Sequence, residues 1–404
     1  MRVLILPDAT MVLRERSLLA RLEVGLADEG IRVLQGIPRS LEGHEASSTL
    51  ARSVFAQAMM FEDRGLPFTG GVRARLLARD LMNALQEEPG AEGIDAVLAT
   101  GDESWTFARD VAQSVGASLV LEIHAPRQIT RAASLWRRGT RDTRAAHPWF
   151  VVAGEALAAM VRRELPADRT ITAPWGVHAG EGVRSGLSPE PTVAILASGL
   201  HAAPVRAALE ALAGVMREFP AMHVLVDAHI VRTLPVWRWA GAMPGLRERL
   251  SIIAELDGRH DVLTSADVLL VPEPLGEHRS VVLQAMADGM LVAAAPDPCL
   301  DWLVPETSAA LGEAPSRGGS ERPHSDASTG TSSRSWSGVS AEAIRGALIG
   351  PRGLLTDVER AESLRRCAAE YVRLHFPASG HVRAILGACE SAVAERDAAP
   401  ARRL

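Results

Sequence analysis

Chemistry is most concentrated in residues 266–296, ADVLLVPEPLGEHRSVVLQAMADGMLVAAAP. The spacing predicts a buried strand, an acidic loop, a helix that begins near Arg279 or Ser280 and stops at Gly289, and a second strand from Leu291. A helix start presents free amides and the positive end of the helix dipole, so the amides around Arg279, Ser280 and Val281 are expected to hold an anion such as phosphate. His124 follows the apolar run Leu119–Ile123, at the carboxyl end of a predicted strand, where open α/β sheets bind ligands. It reads equally as a histidine hydrogen-bonded to a loop carbonyl. Asp102 and Glu103 follow the run ending at Ala99 and are either acids facing an acceptor or the start and cap of the next helix. Residues 127–144 hold six arginines (127, 131, 137, 138, 141 and 144) against one acid, Asp142, with Ile129, Leu135 and Trp136 interleaved. That excess suits an anionic acceptor or an acidic membrane surface, and also an ordinary solvated face.

Composition removes several other chemistries. Lysine is absent, so all 43 basic residues are arginines, which cannot supply a neutral amine near pH 7. Schiff-base and pyridoxal chemistry, the Walker A lysine and the kinase lysine are thereby excluded. No HExxH, paired-cysteine or EF-hand spacing occurs, so no protein-built metal site is expected, and no GxSxG elbow marks a serine hydrolase. A net charge of −6 would repel a phosphate backbone, so nucleic acid is not an expected partner. Cys299, Cys367 and Cys389 form no even disulfide framework, and no signal-peptide core or bilayer-length apolar segment is present, which together point to the cytoplasm.

These residues must be positioned by an alternating framework. Val3–Leu6 reads as a strand, and Leu18, Leu19, Leu22 and Leu26 recur at helical spacing up to Gly30. A strand at Ile31–Leu34 follows, then helices over Ala46–Glu62 and Val72–Leu85. Strands at Ala96–Ala99, Leu119–Ile123, Phe150–Val152 and Thr170–Thr172 alternate with helices after that. The second half repeats this grammar from Thr192, after a linker with glycines at 176, 180, 182 and 186. Alternation of this kind means parallel sheets covered on both faces, in two domains of 1–180 and 181–376. Serine, glycine, threonine and proline dominate residues 313–338, which read as a disordered insertion in the second domain. Residues 377–404 form a C-terminal helix and tail.

At QAMADGMLVAAA the sequence resembles the group 1, family 4-like retaining glycosyltransferases, in which a strand, a Glu-x7-Glu loop, an "EAMA-Gly" helix and a "PVVA" strand bind a nucleotide sugar. Other landmarks follow in the family's order. FVVAGEALAAM at 150–160 resembles "VSEAL", APWGVH at 173–178 resembles "PNGVD" at the interdomain junction, and Ile123-His124 resembles a strand ending in histidine. The start of the second domain at Pro191–Leu209 and the helix at Val339–Leu348 also correspond. The resemblance spans nearly the whole chain. It implies a GT-B fold, two doubly wound Rossmann-like domains facing across a cleft, the first on the acceptor side and the second holding the nucleotide sugar.

The resemblance also implies site residues, with departures. The later glutamate of the motif, which holds the donor ribose, is here Gln284. The earlier one aligns with Gly276, leaving Glu277 one place late. Gln284 can still exchange hydrogen bonds with ribose hydroxyls, though without a charge-assisted bond. The family's Gly-Arg...Lys motif for the diphosphate is reduced to Gly199 and Arg206, and the glycine-rich loop after the first strand is replaced by Pro7–Val12. The resemblance places His124 and Glu277 at the reacting sugar, Gly199, Arg206, Arg279, Ser280, Val281 and Gln284 on the donor, and Asp102, Glu103 and Arg127 on the acceptor side. It implies sugar transfer to a hydroxyl of a glycan, lipid-linked or small-molecule acceptor, with retention and without a metal or other cofactor. Loss of a preorganised charge at such a site costs about 2.7–4 kcal/mol. A non-catalytic GT-B binding or scaffold protein is therefore the competing expectation, and a sugar-nucleotide epimerase a further one.

Overall fold

The computed structural model describes residues 1–42, 56–61, 93–141, 147–180, 186–253, 265–297, 299–304, 307–311 and 339–398, with single positions between 72 and 83. The chain divides into two compact units. Unit 1 comprises Met1–Ala179, Gly276–Gln284 and Tyr371–Leu404, and unit 2 comprises Gly180–Leu275 and Ala285–Glu370. Segments 276–284 and 371–376, assigned by sequence to the second domain, group with unit 1.

Unit 1 is built on a seven-stranded, wholly parallel sheet of β1 (Arg2–Pro7), β2 (Arg32–Pro38), β3 (Ala56–Phe61), β4 (Ala96–Thr100), β5 (Ser118–Ile123), β6 (Trp149–Val152) and β7 (Thr170–Thr172). Their spatial order is β3-β2-β1-β4-β5-β6-β7. Both faces are covered, so β1 is apolar at every position from Val3 to Leu6 instead of alternating. Val3 and Ile5 pack with Leu19, Leu22 and Leu26 of the helix Arg16–Asp28, while Leu4 and Leu6 face Trp105, Ala108 and Val111. The stretch Ala46–Glu62, read as helical from its alanines, instead supplies β3, whose Ala56–Phe61 pairs in parallel with Val33–Pro38. Pairing with a neighbouring strand overrides the local helical preference. Residues 43–55, most of 72–85 and the proposed insertion lie outside the described residues.

Six helices of unit 1 matter below: α1 (Ala9–Arg14), α2 (Arg16–Asp28), α3 (Trp105–Val115), α4 (Arg127–Arg141), α5 (Glu155–Val161) and the C-terminal Ala378–Ala398. The last of these covers the sheet face that carries Val3 and Ile5, through Val382, Ile385, Ala388 and Cys389. Ser118 Oγ donates to Ala392 O at 2.9 Å on the same contact.

Unit 2 holds a six-stranded parallel sheet, β8 (Thr192–Ile195), β9 (His223–Asp227), β10 (Leu250–Ile253), β11 (Val268–Val271), β12 (Leu291–Ala294) and β13 (Ala309–Ala310), in the order β10-β9-β8-β11-β12-β13. Helices α6 (Ala202–Val215), α7 (Ala228–Thr233), α8 (Val236–Gly241) and α9 (Leu246–Arg249) follow β8 and β9, and α10 (Ser280–Ala287) precedes β12. Val193, Ile195, Val224, Val226, Val268 and Leu270 form the core with Val205, Leu209 and Leu212 of α6. The expected stop at Gly289 is present: at φ 75° it leaves the helix, and Met290 N–H reaches Ala285 O at 2.8 Å. The next strand then starts at once.

Gly25 of α2 lies against the C-terminal helix. A Cβ there would stand 2.5 Å from Val382 Cγ2. Gly25→Ala is expected to destabilise unit 1 by about 1–2 kcal/mol, overpacking outweighing the roughly 1 kcal/mol gain in helix propensity. In a Val382→Ala background the same change should become stabilising, which thermal unfolding of the two variants and the double variant will read.

Candidate functional site

Unit 1 gathers most of the candidate residues. After β5 the chain turns through His124 into α4, and the turn is organised by Gln128, which is fully buried. Its Oε1 accepts from His124 N (2.8 Å) and Ala125 N (3.1 Å), and its Nε2 lies 3.3 Å from His124 Nε2 and donates to Asp102 Oδ1 at 3.2 Å. Asp102 is also ion-paired with Arg131 at 3.0 Å. Neither Asp102 nor Glu103 caps α3, whose N-cap is Ser104. The backbone N–H of Glu103 donates to Asp8, whose carboxylate caps α1 at Met11 N (2.8 Å). Burial, ahead of repulsion by Glu103 and Asp102, pushes Asp8 up to about 6.

His124 is itself buried beside Trp175, ring centroids 5.5 Å apart. Burial is the main cause that lowers its pKa to about 4, against the pull of Glu277, so the imidazole is neutral near pH 7. Its ring faces the Gln128 amide and not a loop carbonyl, while its own carbonyl accepts from His278 N at 2.8 Å. His278 lies edge-on to Trp175 and against Gly154, where a Cβ would come within 2.5 Å of its Cε1. Burial, then His124, pushes His278 down to about 3, and its Nε2 has no hydrogen-bond partner. Trp175 Nε1 donates to Glu122 Oε1 at 2.6 Å, and burial raises Glu122 to about 7.

Next to this row stands a cluster of charges. Glu277 is buried, with Arg14 and Arg127 each at 2.8 Å and Arg279 at 3.5 Å. Burial alone would raise its pKa, but Arg279, Arg14 and Arg127 hold it below the usual carboxylate range. Arg279, itself 5% exposed, also lies 3.3 Å from Glu15 Oε1. At the start of α10, Ser280 N is 3.3 Å from both oxygens of Glu15, and Ser280 Oγ donates to Glu15 Oε2. Val281 is buried beside them, and Gln284 Nε2 donates to His178 O at 3.3 Å.

The other two donor candidates belong to unit 2. Gly199 has φ 72°, and a Cβ there would stand 2.7 Å from Thr233 Oγ1. Its neighbour Ser198 donates through N and Oγ to Glu273 Oε1, both at 2.7 Å, and Glu273 Oε2 is buried without a partner. Arg206 is exposed and bound along α6 to Glu210 at 2.8 Å. Arg279, Ser280, Val281 and Gln284 thus group with unit 1, and Gly199 and Arg206 with unit 2. A groove of about 940 Å³ in unit 2, lined by Glu210, Arg217, Glu248, Glu342 and Arg345, contains none of the candidates.

In α4, Ile129, Ala132 and Leu135 are buried in the unit 1 core, and Trp136 packs on His147 and Phe150. Its apolar residues therefore face inward. Among the described residues no group of three His, Cys, Asp or Glu side chains could hold a metal ion, and no helix is long and apolar enough to cross a membrane. Sequence reading missed Arg14, Glu15, Gln128, Trp175, His278 and Glu273. Glu273 and His278 lie within the stretch 266–296 and Trp175 within APWGVH, whereas Arg14, Glu15 and Gln128 carried no local signal.

No known family profile matches the chain, and no curated protein matches it in sequence. Among solved structures it is similar to Anabaena Alr3699/HepE in complex with UDP and glucose, with TM-score 0.65, 13% identity, and coverage of 97% of this chain and 100% of that one. The sucrose-phosphate synthase of Thermosynechococcus elongatus gives 0.64 at 15% identity, covering 98% and 100%. UDP-GlcNAc 2-epimerase from Neisseria meningitidis bound to UDP-GlcNAc gives 0.57 at 11%, covering 97% and 100%. At these identities the likeness is one of fold. The chain has the GT-B fold of two parallel α/β sheets.

The row of buried titratable groups has a pH signature. His124 and His278 are depressed from 6.5, so their contribution to stability is complete above about pH 6.5 and is lost as pH falls toward 4. Glu122 is raised from 4.5 to about 7, so its contribution is complete below about pH 4.5 and is lost as pH rises through 7. The melting temperature of His278→Gln is expected to fall less than that of the parent chain between about pH 7 and pH 4. Glu122→Gln should instead gain on the parent as pH rises from about 5 to 8.

Proposed function

We propose that the chain is a glycosyltransferase that moves a sugar from a nucleotide diphosphate sugar to a hydroxyl acceptor with retention and without a metal. The observation that carries this reading is the grouping of Glu277, Arg279, Ser280 and Gln284 with His124 and Arg127 in one compact unit. Neutral His124 and the carboxylate of Glu277 would flank the reacting sugar. The α10 start would take the phosphates and Gln284 the ribose. Neighbours of the same fold are complexes with UDP, glucose or UDP-GlcNAc, which supports a nucleotide sugar as the partner. The acceptor would be a glycan, a lipid-linked sugar or a small molecule. We place the protein in the cytoplasm, with electrostatic contact to anionic lipid through the arginines of α4.

Two observations favour the second reading, a non-catalytic GT-B binding protein. Arg206 is engaged by Glu210, and the α10 start is engaged by Glu15. Thermal unfolding across a panel of nucleotides and nucleotide sugars separates the two. A bound diphosphate nucleotide at 100 times its dissociation constant adds about 2.7 kcal/mol to stability. The transferase reading expects a shift with one base, an unchanged anomeric configuration in the product by proton NMR, and a 100- to 1000-fold loss of turnover, about 2.7–4 kcal/mol, in Glu277→Ala. Absence of any shift, or near-normal turnover in that variant, would overturn it.

Contact with anionic lipid has its own test. Since the apolar residues of α4 are buried, binding to phosphatidylserine vesicles should be purely electrostatic and vanish at high salt. Salt-insensitive binding, or none, would remove this part of the reading.

A further inference from the structure

We infer that Glu15 is an internal plug: its carboxylate occupies the anion-binding start of α10 and must leave before an anionic ligand can bind there. The inference rests on reading that helix start as the donor-phosphate site.

Glu15 stands at the joint between α1 and α2, with its N–H on Met11 O at 2.8 Å and its own carbonyl accepting from Leu19 N at 3.0 Å. Its side chain makes no capping bond to α2. It reaches a segment 265 residues away, where it meets Ser280 N, Ser280 Oγ and the Arg279 guanidinium. A backbone amide at a helix start, a hydroxyl and a guanidinium together complement a phosphate oxygen. Glu15 is 2% exposed, so ligand anion and carboxylate cannot share the place.

The surroundings make the exchange feasible. Arg14, Arg127 and Arg279 face Glu277 and Glu15, three positive charges against two negative. A fourth arginine, Arg21 on α2, interacts electrostatically with Glu15, and its Nε and Nη2 are buried without hydrogen-bond partners. An entering diphosphate would inherit these cations as Glu15 withdraws. Affinity is then reduced by the fraction of molecules in which the plug is out.

The test is calorimetric titration of inorganic pyrophosphate into the full chain and into Glu15→Gln and Glu15→Asp. Gln removes the charge, and Asp keeps it but shortens the reach. Both are expected to bind pyrophosphate at least about tenfold tighter than the parent, equivalent to about 1.4 kcal/mol. Equal affinities, or no binding by any of the three, would overturn the plug. Hydrogen exchange on the unaltered chain keeps the question open to test should neither variant fold. Saturating pyrophosphate should increase exchange across residues 9–20, and unchanged or decreased exchange there would overturn the plug. A parallel titration with UDP-glucose separates the two readings. Tight binding by the parent, unimproved in Glu15→Gln, removes the plug and leaves the transferase reading standing. Pyrophosphate tightening without nucleotide-sugar binding by any form leaves the plug standing and removes the transferase reading.

Discussion

The candidate site depends on how two acidic side chains, Glu15 and Glu277, are accommodated nearly out of water. Moving an isolated carboxylate into a protein interior costs several kcal/mol, and the group protonates unless cations and hydrogen-bond donors surround it. Glu277 meets this condition through Arg14, Arg127 and Arg279, while Glu15 lies against Arg279 and the Ser280 donors. In a chain without lysine, every cation in this cluster is a guanidinium. Its planar, always-charged fork can bridge two carboxylates at once, as Arg279 does between Glu15 and Glu277, where a compact ammonium would be poorly suited.

The cluster and the histidine row are coupled through short connections. His278 adjoins Glu277 in sequence, and its backbone N–H is held by the carbonyl of His124. Gln128 fixes both ends of the β5–α4 turn and reaches Asp102, so one buried amide orders His124, the start of α4 and an acid of the β4–α3 loop. Burial keeps both imidazoles neutral, hence able to accept a hydrogen bond without adding positive charge to a site already rich in arginine. Trp175 between them is anchored by Glu122 of β5, the strand that leads to His124. The whole assembly is therefore a property of the sheet's carboxyl end, where parallel strands deliver side chains from distant parts of the chain to one place.

How α4 uses its residues limits what it can contribute. Ile129, Ala132 and Leu135 complete the core of unit 1, Arg127 pairs with Glu277, and Arg131 pairs with Asp102. Two of the arginines that made this run resemble a membrane-binding surface are thus committed to the site.

The alternation of strands and helices, the helix stop at Gly289 and the two parallel sheets were legible in the sequence, because hydrophobic period and glycine punctuation are local signals. The same signals failed at Ala56–Phe61, where pairing with β2 decides the conformation and alanine content misleads. Of the candidate residues, His124, Arg279 and Ser280 stand at predicted element ends and Glu277 in the predicted acidic loop. What only the tertiary structure decided was their partners. Arg14 and Glu15 lie more than 260 residues from the groups they bind, and nothing in their local spacing marks them. The state of the α10 start is the clearest case. Sequence marks only a helix start there, whereas only the fold brings the Glu15 carboxylate from the α1–α2 joint to Ser280 N and Oγ, because the partners of buried polar groups are whatever the fold places nearby and not what is adjacent in the chain.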